Sequence, residues 1–343
     1  VGSAAVTTGS ASLTRSTLMA YFTRIRYNYK YRYLLTFNAR YDGSSRFGAN
    51  NQYGFFPSVS GAWRISEEDF LSDLNWLSEF KLRVSSGITG NDRIGNFAFM
   101  GLYGAGFNYG RESGIAPLQL SNPDLKWETT LENNFGIDVG LFNERITFNV
   151  DYYIKYTADL LLDQPLPPSS GFEYVSRNVG EMENRGFEFN VSTVNLEGDW
   201  SWTTNFNVST NRNKVTRLYG DVDRIIDEAR GNRGNNSIFI GQPIGVFYGY
   251  HWLGVDPTTG DCVYEDKDGD GEITSADQKI IGNPHPDFVG GLSNVISYKG
   301  ISLNVLLQFS HGNDIYNGSR MYIEGLGADD NQTIAVLRRW RQP

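Results

Sequence analysis

Residues 31–42 read YRYLLTFNARYD, and their alternation decides the fold. Tyr31, Tyr33, Leu35, Phe37, Ala39 and Tyr41 share one face; Arg32, Thr36, Asn38, Arg40 and Asp42 share the other, with Leu34 the one exception. Successive side chains of an extended chain point to opposite faces, so a period of two predicts a strand with one greasy side and one wet side. The pattern returns in residues 145–157, where Ile146, Phe148, Val150, Tyr152, Ile154 and Tyr156 oppose Arg145, Thr147, Asn149, Asp151, Lys155 and Thr157. Tyr153 is the one aromatic residue on that polar face. It returns again where Trp200, Trp202, Phe206 and Val208 oppose Ser201, Thr203, Asn205, Asn207 and Ser209.

Working outward from these three, further strands are predicted over 21–28, 56–65, 80–89, 134–141, 187–193, 288–298 and 301–310. The total is about ten, each near the length of roughly 10 residues that a tilted strand needs to cross a bilayer. Short connections at 28–30, 142–144, 196–198 and 299–300 alternate with long ones at 43–55, 90–129, 158–185, 211–287 and from 312 onward. The exception is a medium connection, 66–79, expected to hold a helical turn over 67–71. Short turns on one side and long loops on the other are the order of an up-and-down membrane barrel, with the short turns periplasmic. Aromatic residues beside the short turns (Tyr29, Tyr31, Tyr33, Phe142, Trp200, Trp202, Tyr298) suit an interfacial girdle. The predicted class is therefore all-β: an antiparallel up-and-down transmembrane β-barrel segment with long extracellular loops. A soluble antiparallel sandwich alternates in the same way and differs in burying its apolar face against a second sheet.

Composition agrees with a barrel. The 343 residues include 20 Tyr, 21 Phe and 7 Trp, yet mean hydropathy is only -0.39. No run approaches the roughly 18 apolar residues of a spanning helix, a test that does not touch strands. A net charge of -9 argues against nucleic acid as a partner. The single cysteine, Cys262, excludes an internal disulfide. The chain opens on VGSAAVTTGSASLTRST, without Met or an apolar leader, so an export signal is expected upstream and the chain is read as a fragment.

One stretch carries recognisable chemistry. Residues 266–277 read DKDGDGEITSAD, inside the predicted external loop 211–287. Asp266, Asp268 and Asp270 stand at loop positions one, three and five, Gly271 at six, Glu272 at seven and Asp277 at twelve, as in an EF-hand-like loop with Asp in place of the final Glu. Hard cations want six or seven oxygens, and the glycine permits the turn that converges them. The expected metal ligands are Asp266, Asp268, Asp270, Glu272 through its carbonyl, and Asp277, with Thr274 acting through water. The expected ion is a structural Ca2+, with Mg2+ as the other option; a solvated Asp–Gly turn is the plain alternative. His251, His285 and His311 show no metal-protease spacing and are read as surface or loop residues. The glycine-rich run 101–110 is read as flexible loop, Cys262 as a bystander, and no catalytic arrangement is found, so no enzyme is expected.

Eight runs resemble the SusC/RagA family of TonB-dependent outer-membrane transporters. They are YNYKYRYLLTFNARYDGSSRFG (27–48), FPSVSGAWRISEEDFL (56–71), KLRVSSGITGN (81–91), NPDLKWETT (122–130), DYYIKYTADLLLDQPLPPSSG (151–171), NVGEMENRGFEFN (178–190), GQPIGVFYGY (241–250) and IGNPHPDFVGGLSN (281–294). The resemblance implies a 22-stranded barrel closed by an N-terminal plug, of which 17–343 supplies part of the barrel and 1–16 is an uncharacteristic lead-in. It implies import of oligosaccharides or peptides across the outer membrane of a Gram-negative bacterium, with a SusD-like surface lipoprotein as lid and TonB as energy source. Plug, TonB box, signal peptide and final strands are missing from the chain itself. On this reading inward Arg32, Arg40, Asp138, Asp151 and Lys155 line the path or meet the plug, and outward residues meet lipid. The competing functions are a passive porin and a secreted calcium-dependent adhesion or carbohydrate-binding module.

Overall fold

The computed structural model describes residues 13–226, 237–325 and 331–341; most of the lead-in 1–16 lies outside them. All ten predicted strands are present: β1 (Leu18–Tyr29), β2 (Tyr33–Ser44), β3 (Tyr53–Arg64), β4 (Leu77–Asn91), β5 (Glu128–Leu141), β6 (Ile146–Ala158), β7 (Glu181–Leu196), β8 (Trp200–Ser209), β9 (Phe288–Tyr298) and β10 (Ile301–His311). They pair antiparallel in strict chain order, forming one curtain of the kind an up-and-down barrel wall requires. A short strand, Arg212–Arg217, adds to the external end of β7.

Register keeps the two faces distinct across the sheet. Val84 of β4 lies opposite Phe135 of β5, which lies opposite Tyr152 of β6, which lies opposite Phe187 of β7. This row is bare: Val84, Phe135 and Phe187 are 49%, 53% and 56% exposed. A soluble sandwich would bury such a row against a second sheet, whereas a membrane barrel gives it to lipid. The buried core lies elsewhere, at the loop end of the sheet, where Phe47, Phe56, Ala98, Leu125 and Trp127 pack together with Ile88, Ile94, Phe99 and Leu161. Phe47 and Phe56 meet the Trp127 ring with centroids 5.4 and 5.3 Å away, and Trp127 Nε1 donates to the Gln52 carbonyl at 3.1 Å. That cluster ties the β2–β3 connection, the β4–β5 connection and the start of the β6–β7 connection together.

Two aromatic levels bracket the lipid face. Tyr29, Tyr33 and Trp63 stack side by side at the short-turn end, as do Trp200 and Tyr298 at 4.3 Å, and Tyr41 stacks on Tyr53 at 5.0 Å toward the loops. From Tyr33 to Tyr41 the strand climbs about 26 Å, which suits an apolar band of about 25 Å crossed by a tilted strand.

Several expectations change in detail. Tyr31 is not in a strand: Lys30 and Tyr31 have φ of 53° and 57°, forming a left-handed turn in which Asn28 Oδ1 accepts from the Tyr31 N–H at 2.9 Å. β7 begins at Glu181, so 181–185 belongs to the wall and not to a loop. The helical turn expected over 67–71 is two 3-10 turns, Ile65–Glu67 and Asp69–Leu71. The run 101–110 is partly ordered, since Leu102–Ala105 pairs with Ile115–Gln119. The external connection between β8 and β9 likewise holds short hairpins, including Phe247–Gly249 with Lys279–Gly282 and Trp252–Val255 with Cys262–Tyr264.

Candidate functional site

Charged side chains gather in two places that the sequence singled out: the inner wall of the sheet and the carboxylate loop. The wall follows from register. Arg83 of β4 lies opposite Gly136 of β5, which lies opposite Asp151 of β6. Because Gly136 has no side chain, the Arg83 guanidinium crosses over it to reach Asp151 at 3.0 Å while also pairing with Asp138 at 2.8 Å. A Cβ added at Gly136 would stand 2.6 Å from Arg83 Cζ and from Asp151 Oδ1. Lys81 holds Asp138 from the other side at 2.7 Å. Farther along, Lys155 approaches Glu132 at 3.5 Å and Arg40 meets Asp42 at 2.9 Å. The inward residues named from sequence are thus mostly cross-strand ion pairs. Arg32 differs: it sits in the β1–β2 turn and binds Glu68 and Asp69 of the β3–β4 connection at 3.1 and 2.7 Å. Arg83, Lys81 and Gly136 were missed because only strand pairing puts them in one row.

The carboxylate loop places Asp266, Asp268 and Asp270 with their oxygens within 4.8 Å of one another. Asp266 accepts from the backbone N–H groups of Gly269 and Gly271 at 2.7 and 2.8 Å, and Asp270 accepts from that of Glu272 at 2.7 Å. Gly269 and Gly271, with φ of 77° and 88°, supply the left-handed turns that let the loop close. This group counts side-chain oxygens alone, so the backbone carbonyl expected of Glu272 does not enter it, and the Asp277 carboxylate stands outside it. Asp277 is buried, and its carboxylate accepts from the N–H groups of Lys267 and Thr274 at 2.8 and 2.7 Å, capping the turn Ser275–Asp277. Those bonds, led by the one from Thr274, hold the Asp277 carboxyl below its ordinary pKa. At Asp268 the Asp270 N–H lowers the pKa, but desolvation and the charges of Asp270, Asp277 and Asp266 outweigh it and push the carboxyl up.

The other flagged residues occupy ordinary positions. His251 Nδ1 lies 2.6 Å from Glu265, which also binds Lys279; the bonds from Lys279 and His251 lower the Glu265 pKa. His285 bonds the Ile244 carbonyl at 2.8 Å, His311 stacks on Phe288, and Cys262 is exposed in a hairpin strand.

Comparison with known proteins agrees with this architecture. The family model for the TonB dependent receptor-like β-barrel matches residues 2–291. TonB-dependent receptor P3 of Formosa agariphila is 37% identical over 99% of this chain and 36% of its own length. TonB-dependent receptor SusC of Bacteroides thetaiotaomicron is 36% identical over 90% of this chain and 32% of its own length. Among solved structures the RagAB peptide transporter superposes with a TM-score of 0.84 at 30% identity, over 95% of this chain and 37% of that one. The chain thus spans about a third of the length of the curated relatives it matches. It belongs to the TonB-dependent receptor β-barrel family, and is a segment of an outer-membrane barrel of a Gram-negative bacterium.

Proposed function

We propose that the chain is part of a TonB-driven importer of large nutrients, oligosaccharides or peptides, that works with a SusD-like surface lipoprotein. The observation that supports this reading is the likeness to SusC and RagAB along nearly the whole chain. In the complete protein these ten strands would be part of a 22-stranded barrel whose remaining strands and plug come from sequence beyond this chain. The ion pairs of the inner wall would meet the plug, and the packed external loops would meet the lipoprotein lid. Growth of the native organism on a large nutrient, measured with and without TonB and with and without the neighbouring lipoprotein, tests the reading. Import should be lost without TonB and weakened without the lipoprotein. Persistence of import without TonB would leave a passive porin.

The carboxylate loop would take a structural Ca2+, held by Asp266, Asp268 and Asp270. A hard cation there would relieve the mutual repulsion that raises the Asp268 pKa. Calcium should raise the melting temperature of the folded protein, and Asp266→Ala combined with Asp270→Ala should remove that shift. An unchanged shift in the double variant would place the ion elsewhere.

A further inference from the structure

The outward face of the sheet carries a row of bulky side chains with one missing. Leu35 of β2 lies opposite Gly61 of β3, Gly61 lies opposite Val84 of β4, and the row continues through Phe135 and Tyr152 to Phe187. Only Val84 Cγ1, at 3.7 Å, comes near the place where a Cβ on Gly61 would stand. The next row toward the short turns is Tyr33, Trp63, Leu82, Ile137 and Val150. A largely apolar groove of about 750 Å³ follows the space between the two rows, from Tyr33 and Trp63 to Tyr152 and Phe187.

The course of the groove matches one leaflet of a bilayer. Tyr33 is the first residue of β2 and Trp63 the next to last of β3, both at the short-turn rim, whereas Tyr152 and Phe187 lie midway along β6 and β7. A climb from rim to mid-strand crosses about half of a hydrocarbon core that is roughly 30 Å thick. From β2 to β7 the strands stand about 4.8 Å apart, so the groove is on the order of 24 Å long, room for one extended acyl chain. At its mouth Glu68 fixes the Tyr33 hydroxyl and the Trp63 indole at 2.7 and 2.9 Å. Arg32 is engaged by Glu68 and Asp69, and Arg64 by Glu67 and Glu79, while the Asp69 side chain stays exposed. Lys30 lies over the Tyr29 ring and has no carboxylate partner among the described residues.

We propose that this groove holds one phospholipid of the periplasmic leaflet, with an acyl chain laid over Gly61 and a phosphatidylethanolamine headgroup at the rim. The occupant is continuous with the lipid that covers the rest of this face. A tail leaving the bilayer for the groove gains no hydrophobic energy, since both surroundings are apolar. Its preference comes from dense contact with side chains already fixed in place, Trp63 above all, and from the headgroup. The ethanolamine ammonium matches the exposed Asp69 and the phosphate matches Lys30. An anionic phosphatidylglycerol has no cation for Asp69 and meets arginines that are already paired.

The test uses the full-length transporter in detergent, stripped of loosely held lipid and offered equal amounts of phosphatidylethanolamine and phosphatidylglycerol with the same acyl chains. Native mass spectrometry counts what stays bound. The parent should keep one phospholipid per barrel, chiefly phosphatidylethanolamine. Gly61→Leu fills the groove and should lower retention by on the order of tenfold, the loss of about ten atom contacts. Ala39→Leu, on the same face of β2 but outside the groove, should leave retention unchanged. Both variants keep the lipid face apolar, and heat-modifiable migration in gels checks that each barrel is folded. Asp69→Asn should erase the preference for phosphatidylethanolamine while one lipid is still kept. Equal retention in Gly61→Leu and the parent, equal loss in Ala39→Leu, or a parent that keeps no lipid would overturn the site. So would a parent dimer that Gly61→Leu dissociates, which would give the groove to a second barrel. A preference that survives Asp69→Asn would overturn the headgroup assignment.

Discussion

Trp127 and Phe135 are near neighbours in sequence, yet one is packed among Phe47, Phe56 and Leu125 while half of the other is bare. The external cluster buries its apolar groups on itself, as a soluble domain does. The wall below it does the reverse, turning aromatic and aliphatic side chains outward and charges inward. The hydrophobic effect therefore acts twice, once among the loops through internal packing and once along the strands through lipid. Truncating Trp127 to Ala should have the largest effect, about 3–5 kcal/mol for a buried aromatic. Its loss also frees the Gln52 carbonyl. The opening should be confined to the loops, so hydrogen exchange should rise over 92–127 while the strands stay protected. Equal loss of protection in β5 would mean that the cluster and the wall form one cooperative unit.

The wall is sharpened by a pair of substitutions one residue apart. Phe135→Arg puts a charge on the lipid side and should cost about 2–4 kcal/mol in vesicles, whereas Asn134→Arg puts the same charge on the wet side and should cost near zero. Urea titration of the barrel refolded into lipid reads both. Similar costs at the two positions would contradict the facing assigned to this sheet.

Strand existence was legible because lipid on one side and water on the other enforce a period of two over ten residues. Where that pressure ends, legibility ends with it. Residues 181–185 are wall, but they lie beyond the apolar band, and EMENR shows no alternation to read. Tyr31 continues the alternation of its neighbours and still belongs to a turn, since φ of 57° leaves no trace in hydropathy. The three aspartates of the carboxylate loop were legible from spacing alone. Capture of Asp277 by the N–H groups of Lys267 and Thr274 was not, because it depends on how the following turn is capped. Rows such as Arg83–Gly136–Asp151 need the pairing of three strands, which no local pattern encodes.

That row gives a smaller effect. Gly136→Ala would push its Cβ against the Arg83 guanidinium, the movable end of a long side chain. Arg83 should swing off Asp151 and keep Asp138, at a cost of ~1 kcal/mol for one lost hydrogen bond. Asp151→Asn in the Gly136→Ala background should then add little, whereas in the parent it should cost as much as Gly136→Ala does. Additive effects would mean that the glycine serves the backbone and not the ion pair.

The smallest effect lies at the short-turn end, where neither lipid nor a packed core does the holding. Glu68 accepts from Tyr33 Oη at 2.7 Å, Trp63 Nε1 at 2.9 Å and Arg32 Nη1 at 3.1 Å, fastening the β3–β4 connection to the rim. The bonds from Tyr33 and Trp63, with the Arg32 charge, hold its pKa below the ordinary glutamate value. A carboxyl whose folded pKa is depressed contributes stability that is complete above its unfolded pKa and fades as pH falls through the folded one. Protease cleavage within 65–76 should therefore stay slow at neutral pH and quicken only below the ordinary carboxylate range. Glu68→Gln should quicken cleavage at neutral pH and remove its acid dependence, leaving the exchange protection of β2 and β3 unchanged. Cleavage of the Gln variant that still rises with acid would show that the pH response does not come from Glu68.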